Sequence, residues 1–330
     1  MLLYLLFGIT VTIAAHQCPP CRTWIEHQLR NAHIPGLAAI VVNSSDILYE
    51  QDFGFHSPSL SRTFIALATM QLVEKGQLNL DVDINQYLNL PMRIFHPSHP
   101  LSIITMRHIV SHSSAPGNVT YYTNVGAVWG ALAIERISGL TFENYVRQGI
   151  LDPSGISTSD ASYRLSSFTM RKIDLVDQYV YNVSLLSIYH QIIPQLNVVQ
   201  ATNSTDWLYI PHYSISVYPA AMLRMSARSL SIYLRLFLNN FSPDLLRNVS
   251  SMNEMLHVSR QEGSLDEPGV QYGHRGWMPG VAHTMMVNEK RSLGIILLSN
   301  GDITWSDSLA KQASSTLTDI TGQLFDCFEQ

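Results

Sequence analysis

The sequence predicts an α/β fold in which one antiparallel sheet, built from both ends of the chain and flanked by terminal helices, carries a large helical insertion. Three observations predict it. Strand-like apolar runs fall near both ends, at residues 37–55 and 272–300. Helical spacing of apolar residues dominates between them. A further helical pattern lies outside each strand region. Strands at the two ends satisfy each other most economically in a single sheet, so the middle becomes an insertion. The expected division is an α/β part over 22–56 and 256–330 and a helical part over 57–255.

Taken in order, CRTWIEHQLRNAHIPG reads as a helix closed by Pro35 and Gly36. LAAIVVNSSDILYEQDFGF reads as two strands around a polar turn at Asn43–Asp46. Residues 62–75 keep Phe64, Leu67, Ala68, Met70, Leu72 and Val73 at helical spacing, and Gly76 supplies the stop. TMRHIVSH predicts a short helix capped by Thr105. VGAVWGALAIERISG predicts a helix ended by Gly139, and TFENYVRQGI another opened by Thr141. Residues 157–215, rich in Tyr, Ser and Asn and interrupted by Pro194 and Pro211, carry no clear period. PAAMLRMSARSLSIYLRLFLNN is again helical. YGHRG, HTMMVNEK and SLGIILLSNG read as strands, with Asn288–Arg291 turning the last hairpin, and SDSLAKQASSTLTDITGQLFDCF closes the chain as a helix.

The 330 residues, 46% of them hydrophobic, suffice for a sizeable core. A formal charge of −5 without a Lys/Arg cluster argues against nucleic acid or an anionic membrane as partner. The opening MLLYLLFGITVTIAA is too short to span a bilayer comfortably, and Ala14 and Ala15 offer a cleavage site. Residues 1–15 are therefore expected to be a signal peptide, with one domain over 16–330 and a secreted product. Sequons at Asn43, Asn118, Asn182, Asn203, Asn240 and Asn248 fit a glycoprotein of the secretory lumen. Three cysteines do not make a disulfide scaffold. Either Cys18 or Cys21 is expected to bridge to Cys327 and tie the chain ends together, leaving one thiol.

Ser59 and Arg62 stand three apart at a helix start, on one face. Free N–H groups there can stabilise a developing oxyanion; alone, such a serine is more simply a cap. Tyr122-Thr123-Asn124, read as an extended loop, puts a phenol and an amide on one side. His274-Arg275-Gly276 falls on a late strand. His108 and His112, four apart on a helix, have the spacing of a zinc pair, but no third ligand is evident and a structural role is expected.

Together the motifs resemble those of the β-lactamase-related serine hydrolases, the group of class C β-lactamases, penicillin-binding D-alanyl-D-alanine peptidases and related esterases. Their motifs are S-x-x-K, Y-x-N and K-T-G or H-x-G. LSRTFIALATMQLVEKGQLNLDVDINQYL, ITMRHIVSHSSAPG, YTNVGAVWGALAIERISGLTFENYVRQGILDPSGI and GHRGWMPGVAHTMMVNEKRSLGIILLSNG extend the resemblance over most of residues 20–325. It implies a β-lactamase/transpeptidase-like fold and hydrolysis of a small-molecule or peptide amide or ester through an acyl-enzyme, without cofactor or metal. By the same resemblance Ser59 is the nucleophile and Tyr122 the proton shuttle. Asn124, His274 and Gly276 bind substrate, and the N–H groups of Ser59 and Trp277 form the oxyanion hole. Arg62 takes the place of the lysine. A guanidinium stays charged at any working pH, so Arg62 acts on Tyr122 only electrostatically. The segment before Ser59 is also shorter than usual. These departures keep open a catalytically impaired binding or structural protein of the same fold.

Overall fold

Five strands, drawn from both ends of the chain, hydrogen-bond into one antiparallel sheet. The structure, a computed structural model, describes residues 18–52, 57–58, 61–111, 124–168, 175–260, 272–305 and 307–329. The expected signal peptide, Ser59, Tyr122, His112 and Asn118 lie outside the described residues.

Helix α1 (Arg22–Asn31) precedes β1 (Leu37–Val42) and β2 (Ile47–Asp52), which are joined by a turn that Asn43 closes by accepting from the N–H groups of Ser45 and Asp46. α1 ends well before Pro35 and Gly36, because the chain already turns at His33, with φ 52°. At the other end stand β9 (Tyr272–Met278), β10 (Val281–Val287), β11 (Gly294–Ser299) and helix α10 (Ser308–Phe328). The sheet order is β2-β1-β11-β10-β9, so the first and last strand groups meet where β1 pairs with β11, Leu37 opposite Ser299 and Val42 opposite Gly294. The last hairpin turn runs on to Leu293, because Asn288 accepts from both Ser292 and Leu293 and pulls the whole turn under itself.

β1 is buried along its full length because both its faces are covered. Ala39, Val41, Ile295 and Leu297 pack against Ile25 and Leu29 of α1 and Leu317, Ile320 and Leu324 of α10. Ala38, Ile40, Val42, Ile296 and Leu298 face the insertion. Asp307 caps α10 by accepting from the Ala310 N–H. The outer layer is also closed covalently: Cys18 and Cys327 form a disulfide, and Cys21 is left as the free thiol.

The insertion opens with β3 (Ser57–Pro58) and α2 (Ser61–Glu74), followed by α3 (Asn85–Leu88), α4 (Met106–Val110), α5 (Asn124–Ser138) and α6 (Phe142–Val146). α2 is apolar nearly all round, with Phe64, Ile65, Leu67, Ala68, Met70 and Leu72 buried, as befits a helix inside the molecule rather than on its surface. α5 crosses close to it at Gly130, where a Cβ would come within 3.3 Å of Ile65 and 3.2 Å of Ile109. Thr141 caps α6 and Thr105 caps α4, as their sequences predict.

Residues 57–255 are not uniformly helical. β3 pairs with β8 (Arg224–Met225), which also takes β4 (Ala161–Ser162). β5 (Gln178–Tyr181), β6 (Val199–Gln200) and β7 (Trp207–Ile210) form a second small sheet, ordered β5-β7-β6, around α7 (Leu186–Ile192). Its inner face buries Val180, Leu208 and Ile210 beside Tyr189 and Leu196. Alternation in Gln-Tyr-Val-Tyr and Trp-Leu-Tyr-Ile is the period-two signal, but each run is only four residues long and escapes a pattern search. In the run from Pro219, the helix α8 (Ala227–Leu238) begins only after Ser226 caps it. The residues before it form β8 and a 3₁₀ turn. α9 (Val249–Arg260) completes the insertion.

Candidate active site

Ser59 stands two positions before the first residue of α2, and the described residues on either side of it are held to one segment. Ser57 and Pro58 pair with Met225 and Arg224. Ser61, buried, accepts the Leu223 N–H on its Oγ at 2.9 Å. Arg62 adds a third tie, donating from Nε to the Ala220 carbonyl at 3.3 Å. The segment 220–225 is anchored in turn by Arg224, whose buried guanidinium donates to the carbonyls of Tyr163 (3.2 Å) and Tyr213. Burial pushes the pKa of Arg224 down, yet a guanidinium keeps its proton at working pH. A charge so placed needs such partners to offset its desolvation.

Arg62 is the second residue of α2, and its Nη2 also donates to Asn124 Oδ1. Asn124 is not in an extended loop: it is the first residue of α5. The α2 and α5 N-termini therefore meet at this pair. Asn124 is exposed.

The third wall is β9, the edge strand of the main sheet. Strand alternation puts Tyr272, His274, Gly276 and Met278 on one face and Gly273, Arg275 and Trp277 on the other. The first set faces the insertion, since Tyr272 belongs to its core and His274 lies opposite Met285. Trp277 is 53% exposed, so its ring is held at the rim. Gly273 is forced by packing: with φ 153°, an added Cβ would sit 2.0 Å from the Met285 carbonyl oxygen. That close approach fixes His274 against β10.

Arg62, Asn124, His274, Gly276 and Trp277 line one cavity of about 80 Å³, completed by Ile215, Val217, Ala220, Ala221 and Met278. The structure thus brings together the described members of the predicted site, from two helices and a strand distant in sequence. The patterns did not point to Ser61, Arg224 or the 215–221 wall. A usable signal was present for Arg224: one charge inside the apolar run Ala-Ala-Met-Leu-Arg-Met.

His108 has a different use. Its Nδ1 accepts from the Thr105 N–H at 3.2 Å while Thr105 Oγ1 accepts from the His108 N–H, a reciprocal cap on α4. Burial holds its imidazole below the usual histidine pKa. Among the sequons, Asn203 and Asn248 are exposed. Asn182 Oδ1 accepts from Ser184, and Asn240 Oδ1 accepts from Arg291 at 2.6 Å.

An antiparallel sheet covered by terminal helices on one side and by a helical insertion on the other, with a cleft at the insertion–sheet boundary, is the architecture of the β-lactamase and transpeptidase fold. The Beta-lactamase family model matches residues 21–314, and the chain belongs to that family of serine hydrolases. Penicillin-binding protein 4* of Bacillus subtilis is 24% identical over 195 residues, 43% of this chain and 40% of its own. Protein flp of Staphylococcus aureus is 21% identical over 320 residues, 84% of this chain and 62% of its own. The chain therefore spans less than two thirds of the length of these relatives. Among solved structures, the octameric penicillin-binding protein homologue from Pyrococcus abyssi superposes with a TM-score of 0.67 at 16% identity, covering 93% of this chain and 79% of its own. At that identity it shows the fold alone.

Proposed function

We propose that this chain is a secreted serine hydrolase that transfers the acyl group of an amide or ester to Ser59 and then to water. The observation that carries the proposal is the common cavity of Arg62, Asn124 and the His274–Trp277 strand beside the start of α2. Ser59 Oγ bonds to the substrate carbonyl carbon while its proton passes to a Tyr122 phenolate. The phenol then gives that proton to the departing alkoxide or amine as the carbonyl bond to it breaks. Water repeats the sequence: its proton goes to Tyr122, its oxygen bonds to the acyl carbon, and the released Ser59 alkoxide recovers the proton. Arg62 serves as fixed positive charge, favouring phenolate over phenol. The Ser59 and Trp277 N–H groups bind the oxyanion and Asn124 the substrate amide, as the family resemblance implies. Secretion is supported by the Cys18–Cys327 disulfide, a bond characteristic of oxidising compartments, and by exposed sequons at Asn203 and Asn248.

One observation favours a second reading, a binding protein that has lost catalysis. Arg62 is committed to Asn124 Oδ1 and the Ala220 carbonyl, so an amide expected to meet substrate already has a partner within the protein. A serine-reactive fluorophosphonate separates the two. Intact-mass spectrometry of protein recovered from the medium is expected to show a chain cleaved after Ala15 and one adduct, absent in Ser59→Ala. An adduct that persists in Ser59→Ala, or none at any pH from 6 to 10, rules the hydrolase out.

A further inference from the structure

A second cavity, also about 80 Å³, shares Arg62 and His274 with the cleft but has its own walls. They come from α2 (Thr63, Ala66), α8 (Phe237), α9 (Met255) and the sheet (Tyr272, Met285). Beyond Arg62, Thr63, His274 and two tyrosines, every described lining residue is aliphatic, phenylalanine, methionine or glycine. Arg62 and His274 are the two members it has in common with the cleft; apart from these and the hydroxyls of Thr63, Tyr233 and Tyr272, its described lining is apolar.

We propose that this cavity is the acyl-chain pocket of the enzyme and that the substrate is a short-chain aliphatic ester or amide, with a butanoyl group the best fit. The assignment rests on the serine hydrolase reading of the cleft. An apolar cavity gives water few partners and takes an apolar guest instead. Its size sets the guest. A dry cavity of about 150 Å³ admits the six carbons of benzene; about half that volume suits roughly three carbons beyond a carbonyl. The carbonyl itself stays at Arg62 and His274, at the cleft side, where Ser59 attack would occur. The small side chain of Ala66 leaves the space open, and Phe237 closes one side of it.

Two arms test this on the full chain. In the first, Ser59→Ala protein is titrated calorimetrically with acetamide, butanamide and octanamide. Each methylene that enters the pocket strengthens binding about 4-fold, so butanamide is expected to bind about 15-fold tighter than acetamide, with octanamide weaker than butanamide. In the second, wild type is assayed with the matching p-nitrophenyl esters and is expected to show the same order in kcat/KM. Ala66→Leu, which fills the pocket, should bring butanoate down to the acetate rate and leave acetate within about 2-fold. Phe237→Ala, which enlarges it, should move the optimum to longer chains and guards against a filled variant that does not fold. Equal affinity for all three amides, or a butanoyl preference untouched by both substitutions, overturns the pocket. Chain-length selectivity in binding without Ser59 acylation by any ester keeps the pocket and sinks the hydrolase reading.

Discussion

At the scale of single residues, the proposed hydrolysis turns on Arg62, which stands where the family resemblance implies a lysine. A proton must leave Ser59, and Arg62 cannot receive it at a pKa above about 12. The free tyrosine pKa is about 10, so a phenolate base makes acylation rise toward alkaline pH. Labelling by fluorophosphonate is expected to climb between pH 7 and 9, to fall about 10²–10⁴-fold in Tyr122→Phe, and to increase in Arg62→Lys, where an amine can shed its proton. Equal rates for Tyr122→Phe and wild type would remove Tyr122 from the mechanism. His283 governs stability instead. It is fully buried on β10, its Nδ1 accepts the Ser299 N–H at 3.2 Å, and burial holds its pKa down at about 3, against an ordinary 6.5. The folded chain keeps it neutral while the unfolded chain protonates it below 6.5. Its contribution is thus complete above that pH and is lost as pH falls toward 3, by up to about 1.4 kcal/mol per unit. Urea unfolding at pH 7 and pH 5 should show the loss. His283→Asn, whose Oδ1 can accept the same N–H without titrating, should flatten the slope between those two pH values.

Among elements, β9 carries the most consequence, since His274, Gly276 and Trp277 reach the cleft from one edge strand. Its seat on β10 depends on Gly273, where a Cβ has no room against the Met285 backbone. Gly273→Ala is expected to cost about 2–4 kcal/mol or to displace the strand. Thermal denaturation together with fluorophosphonate labelling would report it, and a variant unchanged in both would show that the strand is not so constrained. The helices were legible in the sequence where caps and stops coincide with the apolar period, as at Thr105, Thr141, Gly76 and Gly139. The short strands β3, β4 and β8 were not, because a two-residue strand has no period to read. They nonetheless hold Ser57 and Pro58, through the pairing with Met225 and Arg224.

In the molecule as a whole, the chain ends are joined across 309 residues by Cys18–Cys327. Closing so long a loop restricts the unfolded chain strongly, about 6 kcal/mol by loop entropy alone, and removing such a bond typically costs about 2–5 kcal/mol. Cys327→Ala should therefore unfold at distinctly lower denaturant than wild type, and the difference should vanish under full reduction. Identical midpoints without reductant would show that the outer layer is held by packing of α1 on α10 alone.

The sequence by itself determined the sheet from both chain ends, the insertion between them and the residue types of the cleft. These rest on local information: apolar period, caps, and motifs whose members are three residues or fewer apart. It also set the limit on Arg62, because guanidinium basicity is intrinsic. Only the tertiary structure decided that Cys18 rather than Cys21 meets Cys327, and that His108 closes a helix. It alone assigned Arg224 and Ser61 to the support of residues 57–58 and 61–62, and placed a second, mostly apolar cavity behind Arg62 and His274. Each of those outcomes depends on contacts between segments distant along the chain, and on space left unfilled between them, which no local pattern encodes.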